Sequence, residues 1–151
     1  MATFENQLLD LMDSARAISE QSNPSRWIGE GWSPAIILGH LVDVDKQVWM
    51  ARFEIRRSAM HGGATIPQLV WWEPDGVETA QKYANSTLVE VKASFLSSRE
   101  HMLSYLSLLS ASERLAPAVH QVFGEITIES MLQIILNHDR EHSETLKSNS
   151  T

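Results

Sequence analysis

Six histidines are spread through the 151 residues, and three of them stand where imidazole chemistry is concentrated. His138 and His142 are four apart, so on a helix they share one face. They extend the apolar stripe of Met131, Ile134 and Ile135 toward the core. His40 interrupts a second apolar stripe, Ile37, Leu41, Val44 and Val48, in the same inward sense. Three inward imidazoles admit two readings. Either they are core histidines, each needing a hydrogen-bond partner to offset its burial, or they are ligands of one ion. Neutral imidazole without sulfur suits zinc, nickel, copper or iron, and three protein ligands plus an open position form a catalytic metal site.

The neighbouring polar residues fit around that triad. Asp43 lies one turn beyond His40 and Asp139 follows His138, so either carboxylate is placed to orient a ligand ring through its second nitrogen. Glu141 would act as a proton acceptor beside an open metal position, and as an ordinary helix residue it would be a surface charge. Arg99 falls within an apolar stripe, where a guanidinium is costly without an anion. It is expected either in a salt bridge, to Asp43 or Asp139, or holding a substrate carboxylate or the acidic part of a thiol cofactor. Trp49, Trp71 and Trp72 line a pocket or an interface, or simply pack. His61, His101 and His120 have no recommending spacing and are read as ordinary, although His120 precedes the fourth helix near the expected open end of the site. His138 to His142 also fits H-x-x-E-H, with Glu141 as general base. That pattern needs a further carboxylate ligand well downstream, and only nine residues follow His142, so it is the weaker reading.

Four amphipathic helices must position these residues. Phe4, Leu8, Leu11, Ala15 and Ile18 recur at helical spacing from Thr3 to about Ser19. Ser33-Pro34 is a strong start for the second helix, because Ser caps free N–H groups and Pro at the first position loses no hydrogen bond. Its stripe runs through His40 to Ala51 and Ile55, and Arg56-Arg57 are expected to end it, cations near the negative end of the dipole. Gly62-Gly63, Pro67 and Pro74-Asp75-Gly76 mark a long connection. Thr87 and Glu90 have capping-box spacing before the stripe Leu88, Val91, Phe95, Arg99, Met102, Leu106 and Leu109. Ser110 to Gly124 reads as a connector with at most a short helix, and the fourth helix starts near Thr127 and frays in the polar tail Lys147 to Thr151. No convincing alternating strand pattern appears. The expected fold is one all-α domain over residues 1–151, a four-helix bundle with long inter-helix connections.

Composition narrows the function. Nineteen acidic against 12 basic residues give a net charge of -7, and no basic cluster could neutralise a run of phosphates, so nucleic acid is not an expected partner. With no cysteine, disulfides, thiolate metal sites and a catalytic thiol are excluded. No leader-like start or apolar run of about 18 residues is present, so a cytoplasmic protein without a membrane partner is expected. Asn85-Ser86-Thr87 matches the glycosylation pattern by accident in that setting.

The stretch Trp32-Ser33-Pro34-Ala35-Ile36-Ile37-Leu38-Gly39-His40-Leu41, followed by Phe123-Gly124-Glu125-Ile126-Thr127 and His138-Asp139-Arg140-Glu141-His142, resembles the DinB/YfiT superfamily of metal-dependent bundles over nearly the whole chain. The resemblance implies a divalent metal, zinc or nickel, on His40, His138 and His142. Members often carry Gln three residues after the last His, where this chain has Thr145; the departure touches no ligand. The resemblance further implies a small-molecule substrate, a homodimer, and an enzyme that activates a low-molecular-weight thiol for S-transfer or, alternatively, water for hydrolysis. A reading of another class is a non-catalytic dimeric bundle that keeps the histidines as a structural or vestigial site.

Overall fold

The computed structural model describes residues 3–23 and 31–149. Four long helical rods make a bundle. The first is α1 (Phe4–Gln21), and the second is α2 (Pro34–Val44), which runs through a π-helical turn, Asp45–Met50, into α3 (Ala51–Gly62). The others are α5 (Leu88–Ser107) and α7 (Ile128–Ser148), with α4 (Gly76–Tyr83) and α6 (Ala111–Arg114) as short helices between rods. Helix α1 packs on α5 and α7, while α2 packs on α5 and α4. None of these helices is long and apolar enough to cross a membrane.

The starts follow local chemistry. The side chains of Thr3 and Ser33 accept the backbone N–H of Asn6 and Ile36. Thr87 and Glu90 form the expected capping box, and Thr127 pairs with Ser130 in the same way. The second rod corrects the expected end at Arg56-Arg57. It continues to Gly62 and stops at Gly63, whose φ of +64° suits a residue without Cβ. The expected inward stripe is also corrected beyond Met50. A π turn inserts a residue and rotates the following face, so Phe53 and Arg56 point inward while Ile55 is half exposed.

The connections, where no strand was expected, hold three short ones among the described residues: β1 (Gln68–Leu69), β2 (Pro117–His120) and β3 (Gly124–Thr127). β1 pairs parallel with β2, and β2 antiparallel with β3, with Leu69 opposite His120 and His120 opposite Gly124. Strands of two to four residues are too short to show a period of two. This sheet ties the Trp71-Trp72 segment to the start of α7.

The core has two apolar clusters. One centres on Phe53, Met102, Leu106, Met131 and Ile135, and the other on Ile18, Leu38, Leu41, Phe95 and Leu146. On α5, Arg99 falls between Phe95 of one and Met102 of the other. Gly39 marks a close approach to α4, because a Cβ there would lie 2.4 Å from Cγ of Tyr83.

Candidate metal centre

Helix α2 carries His40 and α7 carries His138 and His142, and the bundle brings the three rings together. Their centroids lie 5.6 Å (His40 to His138), 4.9 Å (His40 to His142) and 4.7 Å (His138 to His142) apart. One nitrogen from each falls within 4.8 Å of the others. Trp32 packs on His40 at 5.1 Å and Trp49 meets His138 edge-on at 5.8 Å.

The donor set fits a divalent ion. Burial, reinforced by His142 and His138, lowers the pKa of His40 to about 3. Burial, reinforced by His142 and Arg99, lowers that of His138 to about 4, and burial lowers His142 as well. All three are therefore neutral donors at pH 7. Nδ1 of His40 and Nδ1 of His138 are buried without a hydrogen-bond partner, the opposite of what satisfied core histidines need. The Nε2 atoms of His138 and His142 are 3.3 Å apart. That spacing permits a hydrogen bond between them, and it also matches two nitrogens about 3.3 Å apart on a tetrahedral ion with bonds of about 2.05 Å.

Neither expected orienting carboxylate bonds a histidine. Asp43 accepts from Lys82 Nζ at 2.8 Å and from the Tyr83 hydroxyl at 2.6 Å. Asp139 is fully buried against Arg99. Arg99 donates from Nε and Nη2 to Asp45, from Nη1 and Nη2 to Asp139, and from Nη1 to the Leu11 carbonyl. These are five bonds from five N–H groups, so no donor remains for a substrate. The expectation that Arg99 acts on substrate is corrected to a structural ion network, with Asp139 as expected and Asp45 in place of Asp43. Burial opposes the charge on Arg99, but the two carboxylates outweigh it and raise its pKa.

A cavity of about 360 Å³ opens beside the triad, within the range of small-molecule sites. His40, His138 and Glu141 line one side of it. Trp49, Trp71, Trp72, Phe123, Ile126 and Ile134 make the apolar walls. Glu141 is exposed on α7 and faces the cavity next to the triad. Of the polar wall residues, Arg52, Glu73 and Asn137 escaped sequence reasoning, and His120 was placed near the open end of the site without a role. The π turn that moves Arg52 has no signal in the hydrophobic pattern, and β2, which buries His120 to 3% exposure, is too short to read. Of the other two histidines, His61 bonds Glu113 at 3.0 Å and His101 lies on the exposed side of α5, on a separate shallow depression.

Residues 7–146 match the family model of the DinB superfamily. Among curated proteins, none matches the sequence. Among solved structures the fold is similar to that of YfiT from Bacillus subtilis, described as a probable metal-dependent hydrolase with an unusual four-helix bundle topology. The TM-score is 0.74 at 13% identity, covering 98% of this chain and 87% of that one. At that identity the likeness speaks for the fold.

Proposed function

Because the chain belongs to the DinB superfamily, we propose that it is a divalent-metal-dependent enzyme holding zinc or nickel on His40, His138 and His142. The observation that carries this reading is the convergence of three neutral imidazoles beside an apolar cavity, with the Nε2 atoms of His138 and His142 at the spacing of two ligands on one ion. These histidines would hold the ion where it would lower the pKa of a thiol or water and so supply a nucleophile at neutral pH. Glu141 receives the released proton from its place on the cavity wall. Trp71, Trp72 and Phe123 hold the apolar body of the electrophile and keep bulk water away from it.

The favoured reaction is S-transfer from a low-molecular-weight thiol. The cavity is lined mainly by apolar side chains and has room for an electrophile beside the triad. Hydrolysis is the second reading, favoured by the description given to YfiT as a probable metal-dependent hydrolase.

The test is metal analysis of tag-free protein, followed by zinc and nickel titration. One ion per chain is expected. His40→Ala, His138→Ala and His142→Ala should each lose it, and His101→Ala should keep it. Protein that neither carries nor takes up a stoichiometric ion would sink the proposal. Turnover of a generic electrophile with and without a panel of thiols then separates the two reactions, since hydrolysis ignores the thiol.

A further inference from the structure

The wall of the cavity away from the triad collects positive charge that no carboxylate of the described residues pairs with. Arg52 lines it, and its Nη2 donates to the Val70 carbonyl at 2.6 Å. Arg56, one turn further on α3, is fully buried. Its Nη2 contacts the Met131 sulfur at 3.0 Å, a weak acceptor, and its Nε and Nη1 have no hydrogen-bond partner. Met131 itself lines the cavity, so Arg56 sits one layer behind the wall. Neither arginine has an ion-pair partner among the described residues, whereas the adjacent, more exposed Arg57 pairs with Glu54 and Glu113. Burial, with the like charge of Arg52, lowers the Arg56 pKa to about 10, which leaves it charged at pH 7.

His120 completes the wall. Its Nδ1 accepts the backbone N–H groups of Val122 at 2.9 Å and Phe123 at 3.3 Å. A neutral ring that accepts at Nδ1 carries its proton on Nε2, and Nε2 makes no hydrogen bond to a described residue. Burial and the charges of Arg52 and Arg56 lower its pKa, so it is a neutral donor.

A buried guanidinium with unused donors is costly, and here the cost is built in. The π turn exposes Ile55 and buries Arg56, and π turns recur at functional sites. Two acidic residues also line the cavity, Glu73 and Glu141. Glu73 is engaged by the Trp71 indole N–H at 2.8 Å, and Glu141 adjoins the histidine triad along α7.

We infer that Arg52, Arg56 and His120 form an anion subsite that takes the carboxylate of a reactant whose apolar body lies along Trp71 and Phe123. Arg52 and the His120 Nε2–H donate directly to it. Arg56 adds its charge from behind Met131, through an interior that screens it little. The inference rests on the proposed function in that the other end of the reactant faces His40 and His138.

Calorimetry with 3-phenylpropanoate and 3-phenylpropanamide tests it on metal-free protein, where no ion can attract the acid. The acid should bind at least tenfold more tightly than the amide. Arg52→Gln should remove that preference, and Arg56→Met and His120→Gln should reduce it. Arg52→Gln keeps the experiment decisive if a buried variant fails to fold. Equal affinity for acid and amide, or an unchanged preference in Arg52→Gln, would overturn the subsite. So would an acid preference that appears only after zinc loading and persists in Arg52→Gln. Repeating the titration on zinc-loaded protein with 3-mercaptopropanoate assigns the anion: a gain over the plain acid places it on the thiol, and no gain places it on the electrophile, and either supports the subsite. Because the first arm uses no metal, failure of the metal reading leaves it intact.

Discussion

Two arginines among the described residues are completely buried, and they are solvated by the protein in opposite ways. Arg99 has every N–H engaged, four by the carboxylates of Asp45 and Asp139 and one by the Leu11 carbonyl. Arg56 has one sulfur contact and two nitrogens without partners. A saturated buried cation is structural, since removing any member strands the others. An unsaturated one at the back of a cavity is held ready for something that is not part of the chain. The histidine triad belongs with Arg56: three neutral rings converge, and no carboxylate or carbonyl of the described residues hydrogen-bonds any of them.

The largest expected effect tests the saturated network. Arg99→Met leaves Asp45 and Asp139 buried together without their cation, and burial already pushes the Asp45 carboxyl up to about 6 despite Arg99. Breaking a buried pair by removing one partner costs about 3–5 kcal/mol. Chemical denaturation at pH 7 should show a loss of that size. A loss below about 1 kcal/mol would mean that Arg99 is not the structural half of the comparison.

The triad predicts a smaller, pH-dependent loss in metal-free protein. His40 and His138 have native pKa values of about 3 and about 4 against an ordinary 6.5. Below pH 6.5 the unfolded chain therefore binds protons that the native chain refuses, and stability falls as pH falls. The window runs from 6.5 down to about 4 for His138 and about 3 for His40. At pH 5.5 each contributes a loss of about 1.4 kcal/mol. Denaturation of metal-free protein from pH 7.5 to 5 should show the decline, and His40→Gln should make it shallower. A flat profile would place both rings in a satisfied, ordinary environment.

The same contrast separates what was legible in the sequence from what was not. The four rods were readable because burial on one face leaves a period of 3.6 and because Thr3, Ser33 and Thr87 cap their own helices. The triad was readable for the same reason: a histidine inside an apolar stripe stands out. Arg99 also stood out, but its partner Asp45 did not, since it lies in the π turn where the regular spacing that favoured Asp43 breaks down. Beyond that turn the pattern misled, placing Ile55 inside and treating Arg56 as a helix end. His120 was legible only as a residue just ahead of the fourth helix near the open end of the site; its burial depends on a strand of only four residues whose pairing with β1 joins positions about 50 apart in the chain. The unread part of the site thus depends on backbone irregularity and long-range pairing, neither of which leaves a local period.

The smallest expected effect is the most direct test of the contrast, because its sign is opposite to that of Arg99→Met. Replacing Arg56 by Met removes one weak sulfur contact and breaks no ion pair. It also relieves the protein of a desolvated charge beside Arg52. Methionine is flexible enough to fill most of the space left by the guanidinium stem. Replacing buried ionic groups with apolar ones of similar volume is often neutral or stabilising, so ligand-free Arg56→Met should gain about 1 kcal/mol in denaturation at pH 7. The gain should shrink when the wild type is measured with saturating 3-phenylpropanoate, because the bound anion supplies the missing partner and stabilises the native state by mass action. Were Arg56→Met to lose as much stability as Arg99→Met, the two arginines would be alike and both structural. A gain in the free protein that closes on adding the acid is the pattern of a charge kept unsatisfied for use, and it links the stability of α3 to occupancy of the cavity.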